Sequence, residues 1–280
     1  MLVSCGTSEN SNSVKEKAPV IEKVEPNYTK KQIQELKTAS KVVYNLPSPS
    51  EMAELLHETN TIYDVEVLND PKASNKYYTD VSRALNLGGY FADLSFTSMF
   101  DYPQQAMLLM SAAQGLSEDL NIVGVFTEQL MTRLDENLMN KDSIMEIVSG
   151  TYMETDFYLQ ENGRSVIAKA ILAGAWIEGL YIATNLQTQD NNNNSIWRKI
   201  GEQKDALVNL INMIDDCNEP KLQPLLKKLR SLQKAFSLIN IEEQDTTNTA
   251  TIQLALIPQS TIEKIAAETK KTREHIVSTK

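Results

Sequence analysis

Two stretches of this chain carry almost no charge. Between Arg83 and Asp101 the only formal charge is Asp93, and between Lys169 and Asp190 it is Glu178. Both stretches favour helix, and a helix that is apolar on most faces must be covered on most faces. The fold is therefore expected to place two helices at its centre and wrap the rest of the chain around them. Gly88-Gly89-Tyr90-Phe91-Ala92-Asp93-Leu94 and Gly174-Ala175-Trp176-Ile177-Glu178-Gly179-Leu180 share a small-small-aromatic-apolar opening and a leucine at the same offset. Small residues let another helix approach closely, and the aromatic fills the space beside that contact. Seven positions are too few to establish a duplication.

Composition supports an all-helical body. Ten glycines and nine prolines in 280 residues fall below the usual shares of about 7% and about 5%. The sequence predicts an all-α, multi-helix bundle of about eight to ten helices. Ser48-Pro49-Ser50-Glu51 has Ser at the N-cap, Pro at the first helical position and Glu three residues in, the pattern of a strong helix start. A long helix is expected over about 74–100, with further helices near 102–119, 122–139, 143–161, 164–187, 195–216 and 220–239. Leu222, Leu225, Leu229, Leu232, Phe236 and Ile239 alternate three and four residues apart, as a seam inside a bundle would. Thr29 and Gln32 form a capping pattern for an earlier helix, and Ser260 with Glu263 forms one for the last. Residues 251–257 alternate like a short extended arm. Residues 1–28 read as a disordered tether and 29–280 as a single helical domain, with a sub-boundary near the polar run at 188–195.

An isolated carboxylate in an apolar helix is costly unless it is paired or hydrogen-bonded. Asp93 and Glu178 therefore have two readings. In one they accept hydrogen bonds from hydroxyls or amides and serve structure. In the other they face a shared pocket with Tyr90 and Trp176, where the four would bind a small ligand or supply an acid/base pair. Glu54 and His57 have the spacing of a di-iron helix, but no second copy accompanies them. His57-Glu58 lacks the second histidine of a zinc protease helix. With no nucleophile elbow, phosphate loop or dinucleotide fingerprint, the sequence implies no cofactor, no metal and no catalytic residue. Met107, Met110, Met131 and Met139 read as core or groove filler. A net charge of −10 and a pI near 4.9 exclude nucleic acid as a partner, since nothing offsets the repulsion. No window reaches 18 consecutive apolar residues, so attachment to a membrane would have to come through lipid.

The first residues supply such a route. Leu2-Val3-Ser4-Cys5-Gly6 has the form of a bacterial lipobox, in which small or apolar residues precede a cysteine that receives a diacylglyceryl group. Only Met1 precedes it, whereas a secretory signal needs a basic start and an apolar run of about 7 to 15 residues. Either the start has been trimmed or the match is accidental. The polar residues 7–27 hold too little apolar surface to fold and as a tether of about 20 residues would reach roughly 25 Å. With Cys5 acylated, Cys217 has no partner for a disulfide.

The segments LPSPSEM, VLNDP, ALNLGGYFADLSFTSMF and AGAWIEGLYIAT resemble those of a family of Bacteroidetes lipoproteins over about residues 44–186. The resemblance implies a signal peptide, an acylated Cys5 and a helical ectodomain, and it implies no particular activity. Gly6-Thr7-Ser8-Glu9-Asn10 lacks the acidic cluster associated with surface export in that group, which points to the periplasm-facing side. The sequence is thus expected to encode a lipid-anchored cell-envelope protein acting as a binding or scaffold module, its partner an envelope protein or a small ligand. The alternative is a small-ligand-binding protein or enzyme using a central pocket at Asp93 and Glu178.

Overall fold

The computed structural model describes residues 46–100, 102–137, 139–187, 194–239 and 257–278. Among these it forms ten α-helices and no strand, an all-α multi-helix bundle. They are α1 (Pro49–His57), α2 (Asp80–Ser98), α3 (Pro103–Asp119), α4 (Glu128–Glu136), α5 (Lys141–Glu161), α6 (Ser165–Asn185), α7 (Asn194–Gly201), α8 (Lys204–Asp215), α9 (Gln223–Phe236) and α10 (Gln259–Ser278). Cys5, the tether, the capping pattern at Thr29 and the arm up to residue 256 lie outside the described residues.

The helix starts obey local chemistry. Ser48 and Glu51 form the expected capping box on α1: the Glu51 amide donates to Ser48 Oγ at 3.3 Å and the Ser48 amide to Glu51 Oε2 at 2.7 Å. The helix expected from about residue 74 begins later. Asp70 caps a short 3₁₀ turn over Pro71–Lys76, and Thr79 with Ser82 makes a second capping box that opens α2 at Asp80. The helix expected over 122–139 is shorter too: Asn121 and Gly124 have positive φ and Thr127 caps α4. The single helix expected over 195–216 divides at Gly201 into α7 and α8, and the one over 220–239 opens with a 3₁₀ turn at Pro220–Leu222. The last helix begins at Gln259, a residue before the expected Ser260 cap.

α2 and α6 are the central pair, as their missing charge requires. They pack most extensively on each other, with α1 and α5 lying across both and α3 on α2. α8 rests on α6, α9 on α8, and α10 on α9, α6 and α2. The two glycines bring the central backbones into contact. A Cβ at Gly88 would lie 1.9 Å from the Ile171 carbonyl oxygen, and one at Gly174 would lie 1.8 Å from that of Leu85. The contact is reciprocal: 174 − 88 and 171 − 85 both equal 86, so equivalent positions of the two similar segments meet each other. α6 has a mean hydropathy of 1.6 over a span long enough to cross a membrane, but 78% of that span is buried by its neighbours.

The leucine seam is buried throughout, from Leu222 to Ile239. Met110 is fully buried, and Met107 and Met131 pack against the core. Met139 departs from the filler reading, being 93% exposed just before α5. Cys217 is half-buried beyond the end of α8, its thiol donating to the Met213 carbonyl at 3.2 Å.

Candidate functional site

Asp93 and Glu178 belong to one buried polar cluster. Asp93 sits on α2 and is fully buried; Glu178 sits on α6 and is 3% exposed. Asn69 lies between them in the loop ahead of the Pro71 turn. Its backbone amide and its side-chain Nδ2 both donate to Asp93 Oδ2, at 3.1 and 2.7 Å. Its Oδ1 accepts from Arg273 Nη2 at 2.7 Å. Arg273, on α10, also forks onto Glu178, Nε donating to Oε2 at 3.1 Å and Nη2 to Oε1 at 3.2 Å. Its guanidinium lies over the Tyr181 ring, 4.6 Å from the ring centre, within reach of a cation–π attraction.

Burial and charge set the protonation of this cluster. Burial pushes the Asp93 carboxyl well above the usual carboxylate range, and the nearby Glu178 charge adds to the rise, while the two Asn69 hydrogen bonds oppose it. Burial also raises Glu178, but the charge and hydrogen bonds of Arg273 act against it. Burial alone would lower Arg273, yet Glu178 and Asp93 hold it above its ordinary value. The arrangement is an ion pair between Arg273 and Glu178, with a neutral-leaning acid alongside. Asp93 Oδ1 is buried and has no hydrogen-bond partner among the described residues.

Tyr90 and Trp176, the other two candidate ligand-binding residues, stand differently. The Tyr90 hydroxyl donates to the Asp70 carbonyl at 2.8 Å, which pins the loop next to Asn69. Burial lifts its phenol beyond the ordinary range, and it lifts neighbouring Tyr77 to about 12, so both phenols stay protonated. Trp176 is 1% exposed, its Nε1 finds no partner among the described residues, and it makes none of the cluster's hydrogen bonds. Three of the four candidates therefore serve one network, and Trp176 fills core beside it.

Sequence reasoning missed Asn69 and Arg273. Asn69 reads as an ordinary loop residue, and Arg273 sits in a Lys-Lys-Thr-Arg-Glu run that looks solvated. One signal was available: Arg273 lies eight residues after Ile265 and three before Ile276, beside the inward stripe of that helix.

A cavity of about 60 Å³ lies elsewhere, lined by Thr97, Ser98, Phe100, Tyr102, Met139 and Lys141 among others. At about 10 to 15 Å³ per water it has room for only a few water molecules, and none of the four candidates lines it. His57 is exposed and meets Lys141 Nζ at 3.3 Å. No group of three or more metal-ligating side chains occurs among the described residues. Comparison with known proteins found no matching family model, no similar curated protein and no similar solved structure.

Proposed function

We propose that this protein is a lipid-anchored component of a bacterial cell envelope, of the Bacteroidetes lipoprotein kind, whose helical body acts as a binding or scaffold module on the periplasm-facing side. The observation that carries the module reading is the closure of the central network. Arg273, Glu178 and Asn69 satisfy one another, and the carboxylates are sealed beneath α10, an arrangement suited to holding a rigid body together. Support for the anchor is the Leu-Val-Ser-Cys-Gly motif and the polar tether after it. Acyl chains on Cys5 would bind a bilayer at about 0.8 kcal/mol per buried CH₂.

Mass spectrometry of the native protein from membranes tests the anchor. The expected result is a diacylglyceryl thioether on Cys5, and an unmodified Cys5 in the soluble fraction refutes it. Protease added to intact cells should leave the body uncut, and cleavage there would move the protein to the outer surface.

A second reading, a small-ligand binder centred on Asp93 and Glu178, is favoured by one observation: Asp93 Oδ1 is buried without a partner. Asp93→Asn and Glu178→Gln separate the roles, because loss of thermal stability with ligand binding unchanged removes the pocket reading.

A further inference from the structure

Arg273 reaches its partners from far along the chain, 95 residues from Glu178 and 204 from Asn69. It arrives on a helix whose buried face is unusually polar. α10 buries Thr261, Ile265, Thr269, Thr272 and Ile276, whereas α9 beside it buries Leu225, Leu226, Leu229, Leu232, Ala235 and Phe236. Thr269 Oγ1 has no hydrogen-bond partner among the described residues, and Thr272 Oγ1 turns back onto the Glu268 carbonyl of its own helix at 2.7 Å. Permanent interfaces are the more apolar ones, and interfaces that open are more polar.

Every group that receives Arg273 is held independently of α10. Glu178 and Tyr181 lie on α6 and Asp93 on α2, the pair locked at Gly88 and Gly174. Asn69 is fixed by Asp93, and its loop by Tyr90. If α10 lifts away, a carboxylate fork, an amide oxygen and an aromatic face remain in place. They form the acceptor set that recognises a guanidinium or ammonium group. Asp93 Oδ1 is a further buried polar atom that Arg273 leaves unused. The Arg273 side chain is 16% exposed against 4% for that of Glu178, so the arginine is the more exposed partner of the pair.

We propose that the α2–α6 groove is a binding site for a ligand carrying a guanidinium or primary ammonium group, and that α10 is a detachable latch whose Arg273 fills the site when no ligand is bound. The proposal deepens the small-ligand reading and rests on it. While the latch is closed, the apparent affinity is reduced by the fraction of molecules that are open.

Agmatine, which carries both groups, is the probe, used with the full chain. Arg273→Ala should bind agmatine at least about tenfold more tightly than the parent by calorimetry, and adding Glu178→Gln should remove that gain. Hydrogen exchange on the parent should show α10 opening faster than α2 and α6, with saturating agmatine speeding exchange in α10 alone. If α10 exchanges only with global unfolding, the groove has no entrance, and the latch and the small-ligand reading both fall. If α10 opens locally but neither protein binds agmatine at about 10 mM, the ligand class is wrong while the small-ligand reading stands. Arg273→Met, which keeps an apolar stem, replaces Arg273→Ala if the latter does not fold. The exchange measurement on the parent decides the latch without any variant.

Discussion

Gly174→Ala tests the central crossing, and Gly115→Ala is its internal control. A Cβ at Gly174 would lie 1.8 Å from the Leu85 oxygen, while real contacts essentially never fall below 3.0 Å, so α2 and α6 must part by at least 3.0 − 1.8 = 1.2 Å. The obstacle is backbone and cannot rotate aside. A radial gap of about 0.5 to 1 Å already forfeits a quarter to a half of a van der Waals contact, and here the loss spreads along the most extensive helix pair in the body. Overpacking usually costs about 1 to 3 kcal/mol, and this site belongs at or above the top of that range. At about 2 to 4 °C per kcal/mol for a domain of this size, the variant should melt roughly 6 to 12 °C below the parent. Gly115 is exposed inside α3 with nothing within 4 Å of an added Cβ, so alanine there should stabilise by about 0.5 to 1 kcal/mol. The reciprocity adds a sharper test. One outward displacement relieves both clashes, so Gly88→Ala/Gly174→Ala should cost less than the sum of the single variants, by about 1 kcal/mol or more. Thermal and urea unfolding monitored by circular dichroism measure the parent and every variant. A Gly174→Ala midpoint within about 2 °C of the parent, or strictly additive costs, refutes the close crossing of α2 and α6.

Other variants probe the periphery of that core. Burial raises the Glu154 carboxyl to about 7, with Arg133 opposing the rise. Its contribution to stability is therefore complete below the ordinary carboxylate value and is lost as pH climbs through about 7. The parent's urea midpoint should fall between pH 5 and pH 8, and Glu154→Gln should fall less; equal losses in the two proteins would contradict the shift. Leu229→Ala, at a fully buried position of the α9 seam, should cost about 2 to 5 kcal/mol with the urea slope unchanged, and a loss under about 1 kcal/mol would mean the seam is loosely packed. Ser48→Ala removes a capping-box oxygen from α1 and should lower stability by about 0.5 to 2 kcal/mol, measurable in the same unfolding curves.

What the sequence revealed depended on how local the physics was. Helix starts governed by neighbouring residues could be read directly where the capping pattern was strong, as at Ser48. Where two patterns competed, the reading failed: Tyr77 and Val81 keep helical spacing with Ala84, Leu85 and Gly88, but Pro71 and Thr79 each start an element of their own and divide the segment. Gly201 hides a break inside a buried stripe that runs from Ile196 and Ile200 through Gln203 to Leu207 and Ile214. The central pair was legible because missing charge is a property of a stretch and needs no partner. The partners of its two acids were not, since Asn69 and Arg273 reach the cluster through the tertiary fold, from positions where a polar residue looks ordinary.

Glu178 has a further consequence, for the chain before it folds. On length and hydropathy α6 qualifies as a membrane span, and an unfolded chain passing through a translocation channel shows each segment to the lipid before any tertiary partner exists. A charged residue near the middle of such a segment opposes lateral entry by about 2.5 to 3.5 kcal/mol, enough to tip a borderline span back into the aqueous path. In a chain exported as proposed above, Glu178 would keep α6 from stopping in the bilayer. Once across, the same carboxylate would draw in Arg273 from the last helix, so the residue that protects the route would also mark its completion.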